Sequence, residues 1–142
     1  MRNIEKPGIT NADELKVYTD LNRSPAKISF PVYFGHQLLE KNQILLFQTV
    51  SKKPLKGACW EVMLTDKTTF KLINHITAEK IINRLPKDYF FQINQSFIIN
   101  LAFLDKILHS PYECVLIRPH DHIRLPVSRD QLTKLKAIYN IV

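Results

Sequence analysis

The stretch from Tyr89 to Asn100, Y-F-F-Q-I-N-Q-S-F-I-I-N, constrains the fold more than any other part of the chain. Three consecutive hydrogen-bonding side chains, Asn94, Gln95 and Ser96, stand between apolar runs, with Tyr89, Phe90, Phe91 and Ile93 before them and Phe97, Ile98 and Ile99 after. Aromatic and β-branched residues on both sides predict two buried anchors, and the polar triplet predicts a short turn held between them. Two readings of that turn are open. In one, Asn94 and Ser96 bond only their own backbone, as these side chains do in ordinary turns. In the other, a rigid scaffold presents polar side chains for recognition.

The segments around this stretch read mostly as strands. I-S-F-P-V-Y-F, from Ile28, alternates and is rich in β-branched and aromatic residues, and Pro31 predicts that it lies at a sheet edge. Turns are expected at Gly35 and at Lys41-Asn42, with a buried strand through Ile44–Phe47 and His36 in a solvated loop. Trp60–Leu64 and Thr68–Leu72 read as a hairpin around Thr65-Asp66-Lys67, with Trp60 as a core anchor. Thr77 is placed to cap a short helix whose Ile81, Ile82 and Leu85 point inward and which Pro86 ends. After Asn100, E-C-V-L-I-R, the turn P-H-D-H and I-R-L-P-V-S-R predict a final hairpin. A closing helix follows, with Asp130 in its first turn and Leu132, Leu135, Ile138 and Tyr139 at helical spacing. Arg129 then lies where a strand gives way to a helix. The fold class is mostly β, with one or two short α-helices.

A chain of 142 residues that is 45% hydrophobic is long enough for one domain with its own core. Residues 1–26 mix Pro7, Gly8, Asn11, Asn22, Ser24 and Pro25 with one short candidate helix, A-D-E-L-K-V-Y. They read as an extension or linker, or as a partly disordered tail, leaving residues 27–142 as the domain. The net charge of +7 is uneven: 51–142 hold 14 basic and eight acidic side chains. Such an excess favours a polyanionic partner, either nucleic acid or an anionic surface. The most basic short stretch is S-K-K-P-L-K-G, where Lys52, Lys53 and Lys56 surround a proline. It is expected to be an exposed loop able to make point-charge contacts to phosphates.

Several functions are disfavoured. Only three glycines are present, and the chain lacks a glycine-rich phosphate cradle, G-x-S-x-G and H-E-x-x-H, so an enzyme is not expected. His120-Asp121-His122 offers metal-ligand types but no third ligand at suitable spacing, and no metal or cofactor is expected. Phe90, Phe91 and Phe97 lie among isoleucines, which favours core packing over base stacking. Cys59 and Cys114 lack C-x-x-C spacing and are expected to be reduced thiols. With no 18-residue apolar run and no apolar stretch at the N-terminus, the sequence predicts a cytoplasmic protein without a membrane span.

F-F-Q-I-N-Q-S-F-I-I-N followed by L-P-V-S-R resembles the two signature segments of the LytTR DNA-binding domain family. Phe91, Ser96, Phe97, Ile98 and Asn100 match the first segment, and Pro126, Val127, Ser128 and Arg129 match the second. The family's usual His-Arg pair is Asn94-Gln95 here. The resemblance runs from about Lys27 to Val142. It implies an elongated set of antiparallel sheets whose loops, rather than a recognition helix, enter duplex DNA. It also implies a bacterial transcription regulator that binds paired direct repeats as two molecules. The 26 residues before the domain are too few for a receiver domain, so input is expected from a separate regulatory partner, from abundance or from the extension. On this reading Lys52, Lys53, Lys56 and Lys134 supply sequence-independent attraction, Gln95 and Arg129 read bases with Asn94 and Ser96 in support, and Asn100 is structural. The competing reading is a protein-interaction module whose basic face meets an acidic protein or membrane surface.

Overall fold

A computed structural model describes residues 27–50 and 59–141 of the chain. The N-terminal extension and the Ser51–Gly57 lysine stretch lie outside the described residues.

Among the described residues ten strands form three antiparallel sheets. β1 (Lys27–Val32) and β2 (Gly35–Glu40) make a hairpin in which Val32 pairs with Gly35. The central sheet has five strands: β3 (Ile44–Val50), β4 (Cys59–Leu64), β5 (Thr69–Lys71), β6 (Phe90–Asn94) and β7 (Phe97–Asn100), in the order β5-β4-β3-β7-β6. β8 (Leu104–Leu108), β9 (Glu113–Leu116) and β10 (Leu125–Pro126) complete the third sheet, in the order β10-β9-β8. Among the described residues two short α-helices accompany them, α1 (Ala78–Arg84) between β5 and β6 and α2 (Arg129–Ile138) after β10.

The central sheet is apolar on both faces, so each face takes a cover. Phe47, Val62, Leu64 and Ile98 meet Phe30 and Leu39 of the β1–β2 hairpin and Ile81 of α1, with Leu85 beside them. On the opposite face Leu46, Ile93 and Ile99 meet Cys114, Leu116 and Leu125 of the third sheet and Leu135 of α2. Fully burying a side chain of this size contributes roughly 1.5–3 kcal/mol, so these two cores fasten the three layers together. α1 starts where expected: the Thr77 hydroxyl accepts from the Lys80 amide at 3.2 Å.

Asn100 is buried and joins the two halves of the central sheet, β5-β4-β3 and β7-β6, by tying the end of β7 to the start of β3. Its amide nitrogen donates to the carbonyls of Lys41 (3.1 Å) and Ile44 (2.8 Å), and its oxygen accepts from the Ala102 amide at 3.0 Å. Cys114 is also buried, and loss of solvent pushes its thiol up to about 12, leaving it without thiolate character near neutrality.

Several sequence expectations change. Tyr33 and Phe34, read as strand residues, form the turn between β1 and β2. Tyr89 is exposed, with the Lys41 ammonium 3.6 Å from its ring centre, rather than a buried anchor. Ile138 and Tyr139 are exposed although they share the helical spacing of buried Leu132 and Leu135, because α2 ends at Ile138. In the final hairpin β10 is only two residues long, since Ile123 and Arg124 precede the pairing with β9. His36, read as a solvated loop residue, is exposed but lies in β2, paired with Pro31.

Asn100→Ala is expected to cost about 2–4 kcal/mol, because it strands two carbonyls and an amide in the interior. Urea unfolding would read this as a lower midpoint at unchanged slope. A midpoint equal to that of the parent protein would show that these bonds do not hold the halves together.

Candidate nucleic-acid interface

Three connections emerge at one end of the central sheet. Gln48 pairs with Phe97 and Val50 pairs with Cys59, so the β6–β7 turn lies at the end where β3 stops and β4 begins. Lys52, Lys53 and Lys56 fall between those two strands, outside the described residues. The third connection is the junction from β10 into α2.

The turn and the junction are clasped together. The Asn94 amide nitrogen donates to the Pro126 carbonyl, and its oxygen accepts from the Ser96 amide at 2.6 Å. The Ser128 amide donates to the Ile93 carbonyl at 2.9 Å, and the Gln131 side chain donates to the Gln92 carbonyl. A further bond, from the Thr49 amide to the Ser96 carbonyl at 3.0 Å, fixes the turn to β3. The two sequence segments that stood out separately therefore form one continuous surface.

What this surface leaves unbonded is as informative as what it bonds. Gln95 is exposed at the tip, and among the described residues its amide has no partner. Arg129, the first residue of α2, is exposed, and its guanidinium likewise has none there. Ser96 is half-buried, with its backbone engaged on both sides. Lys134 is exposed on α2, yet five residues on from Arg129 places it about 140° around the helix, on a different face. The structure thus brings together Asn94, Gln95, Ser96 and Arg129 and leaves Lys134 apart.

Sequence reasoning missed Ser128 and Gln131. The Ser128 hydroxyl caps α2, accepting from the Gln131 amide at 3.4 Å, and Ser-x-x-Gln is the capping-box pattern. Here the Gln131 side chain bonds β6 instead of closing the box. His120 of the H-D-H turn is buried, its Nδ1 without a partner among the described residues, and His122 Nδ1 lies 3.1 Å from the Pro119 carbonyl oxygen. Among the described residues no group of three His, Cys, Asp or Glu side chains is arranged to hold a metal ion. No helix among them is long and apolar enough to cross a membrane.

The family model of the LytTr DNA-binding domain matches residues 62–140, more than half of the chain. The chain belongs to the LytTr DNA-binding domain family. A solved structure agrees in fold: the LytTr DNA-binding domain of a Bacillus cereus protein superposes with a TM-score of 0.59 at 17% identity, over 83% of this chain and 100% of that one. Among curated proteins none matches the chain. Membership makes this a DNA-binding domain of transcription regulation, of the response-regulator output type, in a family that is not enzymatic. The antiparallel sheets with two short helices are the LytTr fold.

Asn94→Ala removes both ends of the clasp's side-chain link, and about 1–2 kcal/mol of stability is expected to go with it. Hydrogen exchange should speed up at the Ser96 amide and stay unchanged at core amides of β3. Equal exchange at Ser96 in the two proteins would show that the turn holds its shape without Asn94.

Proposed function

We propose that the LytTr domain of this chain binds duplex DNA sequence-specifically through its loops, with Gln95 and Arg129 as the base-reading side chains. One observation carries this: beside the Asn94 and Gln131 amides, which are spent within the protein, these two side chains are exposed and, among the described residues, unpaired at the two parts of one hydrogen-bonded clasp. Gln95 offers a donor and an acceptor in one plane, which matches adenine N6 and N7, while Arg129 suits guanine O6 and N7. Asn94 and Ser96 support them by fixing the turn. α2 is held by Leu132 and Leu135, and only its first residue takes part in reading.

Lys52, Lys53 and Lys56 supply the sequence-independent attraction to phosphates, and Lys134 adds to it from its separate face. The family reading extends to two molecules on paired direct repeats in a cytoplasmic setting, with a separate regulatory partner, abundance or the N-terminal extension as the source of input.

Duplexes selected from a random pool, titrated at one salt concentration with single base-pair variants, test the reading. Gln95→Ala is expected to cost about 1–3 kcal/mol on the selected site and much less on unrelated duplexes. Gln95→Arg should move preference at that step toward guanine, and Arg129→Ala should act at a different step. Equal weakening on every duplex, or none, would make the turn pure scaffold. A protein that failed to distinguish any duplex would instead fit a generic basic interaction module.

Salt dependence separates the second layer. If three to five phosphates are neutralised, log K falls with log salt at a slope of about −3 to −5. Replacing Lys52, Lys53 and Lys56 with alanine should flatten that slope and weaken all duplexes alike; an unaltered slope would take the lysine stretch out of the interface.

A further inference from the structure

The β1–β2 hairpin turns on two residues, Tyr33 and Phe34, between paired Val32 and Gly35. Two-residue hairpin loops favour Asn, Asp and Gly, and Gly35, at φ +141°, supplies the backbone freedom here. Nothing in the turn geometry calls for two large aromatic side chains. Phe34 is wholly exposed and Tyr33 is 59% exposed, with His36 beside them also in solvent.

The tip lies at the same end of the molecule as the clasp. The Tyr33 hydroxyl donates to Asn74 Oδ1, and the same oxygen lies 3.7 Å from the sulfur of Cys59, the residue that opens β4. A backbone bond from the Ile73 amide to the Pro31 carbonyl, at 3.1 Å, fixes the hairpin to the segment after β5. β4 and β7 are separated only by β3, two strand spacings or about 10 Å. Arg129 lies beyond β6, at the opposite side of the row. The aromatic tip and the α2 junction thus flank the β6–β7 turn, the tip on the face that the hairpin covers and the junction beyond β6 toward the opposite face.

We propose that the Tyr33–Phe34 tip is a further DNA contact, in which Phe34 packs against deoxyribose and base edges of the duplex flanking the selected site, on the side away from Arg129. Tyr33 is a positioning residue, because its hydroxyl is tied to Asn74. An isolated exposed apolar side chain is ordinary on a protein surface; here two adjacent aromatics, one of them tied through its hydroxyl to Asn74, stand at the same end of the central sheet as the clasp. Apolar side chains contact nucleic acid in this way at shallow grooves, with no charge involved. The proposal rests on the loop-reading function above.

Phe34→Ala tests it, since a side chain in open solvent can be removed without disturbing the core. On a duplex with one selected site and long flanks, affinity should fall roughly three- to tenfold, as expected for one lost interface side chain. The slope of log K against log salt should not change, because no phosphate contact is lost. On a duplex trimmed on the side away from the Arg129 step, parent and variant should bind equally. Equal affinity on the long duplex overturns the proposal. So does a loss confined to cooperativity on duplexes with two sites, which would make the tip a contact between copies of the chain. Gln95→Ala run on the same duplexes keeps the two ideas apart. If it changes specificity while Phe34→Ala does nothing, only the tip assignment fails; if it has no effect on specificity, the underlying reading fails.

Discussion

Strand β3 is buried on both faces, and the arrangement of the layers follows from the need to cover it. Ile44 and Phe47 belong to one core, Leu45 and Leu46 to the other. Strict alternation would put Ile44 and Leu46 on the same face; the irregularity in the β3–β4 register between them shifts the phase by one residue. A strand so enclosed must be central, so β4 and β7 flank it and the β1–β2 hairpin and the third sheet close over its two sides. The polar ends of these strands are then forced to the rim. That is how connections from distant parts of the chain come to share one edge.

Sharing an edge does not by itself fix relative positions, and the clasp between residues 92–96 and 126–131 does. Its bonds are individually worth only about 0.5–1.5 kcal/mol each, less than one buried leucine. Their weight lies in geometry. Bonds from Asn94, Ser128 and Gln131 act at successive residues of β6, and the capped start of α2 thereby holds a set orientation to the turn. Reading DNA demands side chains held to within fractions of an ångström, which suits a scaffold of this kind better than free loops.

Much of this was legible in the sequence. Strand positions, the Thr77 cap and the burial of Trp60 follow from local pattern, because alternation and capping are short-range rules, whereas the structural role of Asn100 came with the family resemblance. The polar triplet could be located but not partitioned: whether Asn94 faces its own chain or a ligand depends on Pro126, some 30 residues away, and no periodicity reports that contact. The same limit hid the exposure of Ile138 and Tyr139, since helical spacing gives the direction of a side chain without saying how far the covering layer extends. Aromatics at the β1–β2 tip read as strand residues because their composition is that of a strand, and only the pairing of Val32 with Gly35 makes them the turn.

The departure from the family pattern at Asn94-Gln95 gains a physical sense from the clasp. A neutral imidazole carries one donor and one acceptor, the same complement that Asn94 uses toward Pro126 and Ser96. Exchange of histidine for asparagine at that position therefore keeps the hydrogen-bond types the scaffold needs. At the next position the pattern changes from arginine, a charged fork of donors, to Gln95, a neutral donor and acceptor pair, and no bond within the described residues depends on it. The fold constrains the first of these positions and leaves the second open. A surface organised in this way allows residue 95 to change at little cost to stability, while residue 94 answers to the fold.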